Sequence, residues 1–251
     1  MNSKRDIRTI ATLLIGLALA IGLSGCGPTN QEAIEQFKPQ YAEMRADLEA
    51  IAAALPASVA EQQVAQALDP APFYMEDSPD DIHNTDILMY ASLVDPDLDL
   101  RDAGQLDLRL SNYLRRNLQW TGPNNPMSET SLKNRAADNF PDKLEQGLQI
   151  KYLGVARVGA YERAVAVSED TFDGGYAEID GFLVDMESKD VLCAFTISAR
   201  PSEQVSYTYK EGESQLDALE RFANSTLWSN AREAFIDKLD QNCSGMFRLR
   251  D

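Results

Sequence analysis

One histidine, three cysteines and two tryptophans in 251 residues leave this chain short of the side chains that most often do chemistry. With His83 alone, a zinc site of three or four convergent ligands cannot be built from histidines, and a serine triad would have to recruit that one residue. The chain also lacks a Gly-x-Ser-x-Gly elbow, a Walker A loop and a Gly-x-Gly-x-x-Gly fingerprint. Basic residues are scarce: 23 Lys and Arg stand against 40 Asp and Glu, a formal net charge of −17. So acidic a surface repels nucleic acid and anionic head groups, so nucleic acid is not an expected partner. Long apolar runs are missing as well. The longest, Ile10 to Leu23, has about 14 residues, against the roughly 20 a membrane-spanning helix needs.

That short run is nevertheless informative. Lys4, Arg5 and Arg8 precede it, and a basic start before a brief apolar stretch is the form of an export signal rather than an anchor helix. The run ends in Leu23-Ser24-Gly25-Cys26. Here the chain resembles the bacterial lipoprotein precursors, whose lipobox is Leu, two small residues and Cys. The resemblance implies a diacylglyceryl group on Cys26 and removal of residues 1–25 by signal peptidase II, with further acylation of the new amino terminus. The expected partner is thus a membrane, held through acyl chains worth about 0.8 kcal/mol per buried CH₂. In the Gram-negative members an Asp after the cysteine favours the inner membrane. Gly27 stands there, which implies the outer membrane, facing the periplasm.

Loss of residues 1–25 takes away Lys4, Arg5, Arg8 and Asp6, so the mature chain carries 20 basic and 39 acidic residues, a net −19. With Cys26 used by lipid, Cys193 and Cys243 are the one remaining pair. An oxidising periplasm allows a disulfide between them, closing a loop of about 50 residues; two separate buried thiols are the alternative.

Residues 26–30 form the lipidated terminus and a short tether. Residues 31–148 form a mainly helical part. Residues 149–251 form a sheet with a C-terminal helix, expected in one domain with the preceding part. Thr29 and Glu32 have capping-box spacing, and Ile34, Phe37, Tyr41, Met44, Leu48, Ile51 and Leu55 make one helical stripe. Pro39 predicts a kink or a fresh start near Lys38. A stripe of this kind either packs on its own domain or is offered to a partner. Shorter helices are expected from Ser58 to about Leu68, over Ile87 to Leu93, over Asp102 to Leu118 and over Pro141 to Leu148. Strands follow at Gln149 to Val158, Tyr176 to Asp185 and Val191 to Ala199, with turns at Asp173-Gly174-Gly175 and Glu187 to Asp190. Val205, Tyr207 and Tyr209 predict a fourth strand. A helix from Ser214 to Asp240, interrupted near Asn224-Ser225-Thr226, completes an α+β fold: N-terminal helices, an antiparallel three- to four-stranded meander, and a C-terminal helix on the sheet.

No catalytic, metal or cofactor set emerges. His83 reads as an exposed loop histidine. Asp95, Asp97 and Asp99 occupy positions one, three and five of a calcium loop, but Leu100 replaces the glycine of the tight turn and Leu106 the bidentate glutamate. Tyr207, Tyr209 and Tyr176 are a candidate aromatic surface for sugar or peptide. The leading expectation is a non-enzymatic envelope lipoprotein acting as an interaction or accessory module with an envelope protein partner. A lipoprotein that binds a cation, peptide or sugar is the alternative, and an envelope hydrolase is a third reading.

Overall fold

The computed structural model describes residues 27–64, 67–76, 83–100, 104–203, 212 and 214–250. Helix α1 spans Asn30–Ala54 and opens with the expected capping box: Thr29 and Glu32 satisfy each other's backbone N–H groups. All the stripe residues from Ile34 to Ile51 are buried, so the stripe packs on its own domain. The helix runs unbroken through Pro39, contrary to the expected fresh start. Pro39 lies on the exposed face, where water can satisfy the carbonyl that its missing N–H leaves open.

The fold is α+β. A four-stranded sheet has the order β2 (Thr85–Met89), β3 (Tyr152–Ala166), β4 (Phe172–Asp185), β5 (Val191–Ala199). Strand β2 joins β3 in parallel, whereas β3, β4 and β5 form the antiparallel meander. Alternation sends Ile179, Leu183, Cys193, Phe195 and Ile197 to one face, where helix α6 (Gln215–Asn242) covers them with Leu227, Ala231, Phe235 and Leu239. Leu153, Val155, Phe182, Val184 and Ala194 face the other way, against α1, α3 (Leu114–Thr121) and α5 (Phe140–Leu148). The N-terminal helices therefore cover the second sheet face. A two-stranded parallel ladder of β1 (Phe73–Met75) and β6 (Met246–Arg248) closes the end of α6.

Four local expectations differ from the structure. The apolar run Ile87 to Leu93 is strand β2 followed by the short helix α2 (Tyr90–Val94). Every residue of β2 is buried, and a run buried on both faces has no period to separate strand from helix. Residues 104–112 are irregular rather than helical, and helix α3 begins only at Leu114. Leu106, Leu108 and Leu110 are buried on alternate residues, a period of two. The segment from Ser58 is not helical either. Gln62 bridges Ala194 on the free edge of β5, while Glu61 reaches Lys238 and Asn242 on α6. Finally, Gly174 and Gly175 lie within the β3–β4 ladder at positive φ, and the chain reverses at residues 167–171 through a Val167–Thr171 backbone bond. The short helix α4 (Glu129–Lys133), capped by Ser128, was not expected.

Helix α6 also continues through Asn224-Ser225-Thr226. The Asn224 amide pairs with both backbone groups of Ala164, donating to O at 2.8 Å and accepting from N at 3.0 Å, so the polar triplet fastens α6 to β3. Cys193 and Cys243 are both fully buried at disulfide distance, with Cα atoms 5.6 Å apart. Among the described residues no helix is long and apolar enough to cross a membrane.

Close packing makes one core position sensitive to a single methyl. Gly181 on β4 sits opposite Phe195 on β5, and a Cβ there would run into the Phe195 ring. That ring also packs on Phe235, 5.4 Å away, so it has little room to yield. Gly181→Ala is expected to destabilise the fold by about 2 kcal/mol through overpacking, measured as a lowered denaturant midpoint.

Candidate polar cleft beside the sheet edge

The position of this cleft is fixed by a buried carboxylate. Asp86, on β2, is fully buried and makes no ion pair among the described residues. Its oxygens accept from the N–H groups of Ile87 (2.8 Å), Asn112 (3.0 Å), Tyr113 (3.4 Å) and Leu114 (2.8 Å), and from the Ser111 hydroxyl (3.1 Å). It thus caps the N-terminus of α3 from a neighbouring strand, meeting donors that the helix cannot satisfy itself. Burial pushes the Asp86 carboxyl above the ordinary carboxylate value, while the bonds from Asn112, Leu114, Ile87 and Ser111 pull it back. The N-terminal N–H groups of α3 are therefore already met by an internal acceptor.

Asp107 orders the opposite wall. Its Oδ1 accepts from the Arg109 N–H at 2.9 Å, a local turn that carries Arg109 at a φ of 51°. Its Oδ2 accepts from Arg115 at 3.0 Å, and Arg115 also donates to the Leu98 carbonyl at 2.7 Å. The Trp228 indole N–H donates to the Asp107 carbonyl at 2.7 Å, tying this wall to α6. Between β2, α2, the 107–112 segment and α3 lies a hollow of about 310 Å³. Ile87, Met89 and Leu110 give it an apolar side; Ser92, Arg109, Arg115 and Arg116 give it a polar one.

Three arginines and one aspartate line this hollow, in a chain that is strongly acidic elsewhere. Arg115 is committed to Asp107 and Leu98. Among the described residues Arg109 and Arg116 make no ion pair. Each guanidinium instead lies beside an indole, Arg109 at 5.9 Å from Trp228 and Arg116 at 5.8 Å from Trp120. The Ser92 hydroxyl and the Arg115 Nε are both buried without a hydrogen-bond partner. Arg109 is shared with a second hollow of about 350 Å³, lined by Tyr161, Asn224, Ser225 and Trp228.

The residues singled out from the sequence fall elsewhere. His83 is 2% exposed, not a surface histidine: it stacks on Phe73 with ring centroids 5.3 Å apart, and its Nδ1 accepts from the Met75 N–H at 3.1 Å. The β1 strand covers it, because Phe73 and Tyr74 supply the aromatic shell that a loop reading could not foresee. Asp95 accepts from the Asp97 N–H, and Asp97 accepts from Asn124, so these acids close a loop among themselves. Among the described residues no three His, Cys, Asp or Glu side chains converge as a metal site. Tyr176 donates to Glu178 at 2.9 Å beneath the Arg200 guanidinium, whereas Tyr207 and Tyr209 lie outside the described residues, as does Cys26.

Sequence reasoning missed Asp86, Ser92, Arg109 and Arg116. The one available signal was the bunching of Arg109, Arg115 and Arg116 in a chain so poor in basic residues. No protein-family model, curated protein or solved structure matches this chain.

Proposed function

We propose that this chain is a lipid-anchored protein of the bacterial envelope that works as a non-enzymatic interaction module. On this reading Cys26 carries the acyl chains and residues 1–25 are removed. The folded body stands outside the cytoplasm, at the outer membrane facing the periplasm. The observation that carries the reading is the lipobox Leu23-Ser24-Gly25-Cys26 placed directly before an ordered body. Chain order begins sooner after the cysteine than a flexible tether would allow. The Pro28 carbonyl accepts from Ala136 N–H at 2.8 Å, Thr29 bridges Arg135, and the Asn30 N–H donates to the Asn134 carbonyl at 2.9 Å. One residue spans at most about 3.6 Å, so a lipid on Cys26 would hold the 134–136 segment and α4 close to the bilayer surface. A buried Cys193–Cys243 pair suits an oxidising compartment.

The test is metabolic labelling with a clickable palmitate analogue in a bacterial host. Wild type is expected to take up label and sediment with membranes. Cys26→Ala is expected to lose the label and to leave the membrane fraction. Equal labelling of the two proteins would overturn the assignment.

A ligand-binding role is favoured by the cleft itself, whose arginines turn the expectation from a cation to an anion.

A further inference from the structure

We infer that the hollow between β2, α2 and α3 binds a small oxyanion, a carboxylate or a phosphate, through Arg109, Arg116 and the Ser92 hydroxyl. This rests on the ligand-binding reading above and names its ligand class; it does not depend on the lipid anchor.

Charge is the first support. The only acidic side chain lining the hollow is Asp107, and both of its oxygens are already used, by the Arg109 N–H and by Arg115. Within this hollow neither Arg109 nor Arg116 faces a free carboxylate; Arg109 also borders a separate hollow with Asp217 and Glu220, whereas Arg116 does not. A guanidinium without a carboxylate in so acidic a protein is a poor stabilising device and a good anion receptor, since its donors match a planar carboxylate or a phosphate face. Each guanidinium lies over an indole at just under 6 Å, a contact that uses none of its N–H donors.

The second support is independent of charge. The Ser92 side chain is fully buried on the wall of the hollow, and its hydroxyl has no partner. A buried hydroxyl left unpaired costs about 1–3 kcal/mol, and an alanine there would remove that cost. A turn of the side chain toward the hollow would let it donate to an acceptor oxygen bound there. The third support is shape. A hollow of about 310 Å³ is enough for a small organic anion but not for a folded partner. The apolar side made by Ile87, Met89 and Leu110 offers a surface for a short carbon skeleton.

The experiment is isothermal titration of the purified full-length protein in detergent with three probes: inorganic phosphate, glycerol phosphate and succinate. Saturable binding of at least one probe is expected. A preference for the two phosphates would identify a phosphorylated ligand, and a preference for succinate a carboxylate; either supports the site. Arg109→Gln and Arg116→Gln lie on exposed side chains that leave the core untouched, and each is expected to weaken binding about tenfold or more. Ser92→Ala is expected to weaken binding by about threefold or more while leaving the thermal midpoint equal or higher, a combination that a purely structural serine would not give. Two results would overturn the proposal: no binding of any probe tighter than about 10 mM, or binding that both arginine variants and Ser92→Ala leave unchanged. Neither would touch the palmitate result, so failure of the cleft and failure of the anchor are told apart.

Discussion

Replacing Cys193 and Cys243 together by alanine lowers the stability of the folded protein by about 4 kcal/mol, the chain-entropy value for a loop of this size. The two cysteines are 50 residues apart and join the start of β5 to the end of α6. Without the cross-link the unfolded chain regains that loop's freedom, whereas the folded contacts around it persist. Phe195 and Phe235 still pack, and the Asn224–Ala164 pair still holds α6 at its other end. The variant therefore folds, but it melts roughly 10 °C lower. Adding reductant to wild type under unfolding conditions produces the same midpoint as the double variant. A double variant that unfolds together with the oxidised wild type would show that the pair is two free thiols.

Asp86→Ala produces a loss of about the same size by a different route. It removes the acceptor for four backbone N–H groups and one hydroxyl, all gathered where β2 meets α3. Buried donors left unpaired cost about 1–3 kcal/mol each. Because Tyr113 is held only at 3.4 Å and water can enter beside the half-buried Ser111, the sum is expected near 4 kcal/mol rather than at the full additive value. Asp86→Asn keeps the shape but turns an NH₂ group toward donors, and recovers little. The pH dependence carries a sign of its own. Burial raises the Asp86 carboxyl, so the folded state keeps this proton at a pH where the unfolded chain has released it. The stability that Asp86 contributes therefore falls as pH rises from the ordinary carboxylate value through the raised one, and is constant above that. The denaturant midpoints of wild type and Asp86→Asn, followed from mild acid to neutrality, are expected to draw closer as pH rises. A gap that widens instead would show that the hydrogen bonds outweigh burial.

The antiparallel meander was legible because alternation along Val191 to Ala199 has one interpretation: Cys193, Phe195, Ile197 and Ala199 share the face that α6 covers, and the residues between them do not. Thr29 and Glu32 were legible because a capping box is a local device, made by residues three apart. Strand β2 was not. Its residues are buried on both faces, and its partner β3 lies more than sixty positions away, so nothing local distinguishes it from a core helix. Residues 104–112 misled for the opposite reason: Leu106, Leu108 and Leu110 have a strand's period, but the helix-forming residues around them suggested a longer α3. The cleft was invisible for the same long-range cause. Ser92 is unremarkable in α2 until the 107–112 segment and α3 close around it, and Asp86 gains its role only when α3 begins above it. His83 misled in the same way, its aromatic cover coming from Phe73 and Tyr113 on other segments.

Intact mass and amino-terminal analysis of the native protein, extracted from membranes with detergent, bear most directly on the proposed role. The expected result is a chain beginning at Cys26 whose mass exceeds that of residues 26–251 by a diacylglyceryl group, with or without a further acyl chain. A chain that retains residues 1–25, or one that begins at Cys26 with a free thiol and partitions into the aqueous fraction, would contradict it.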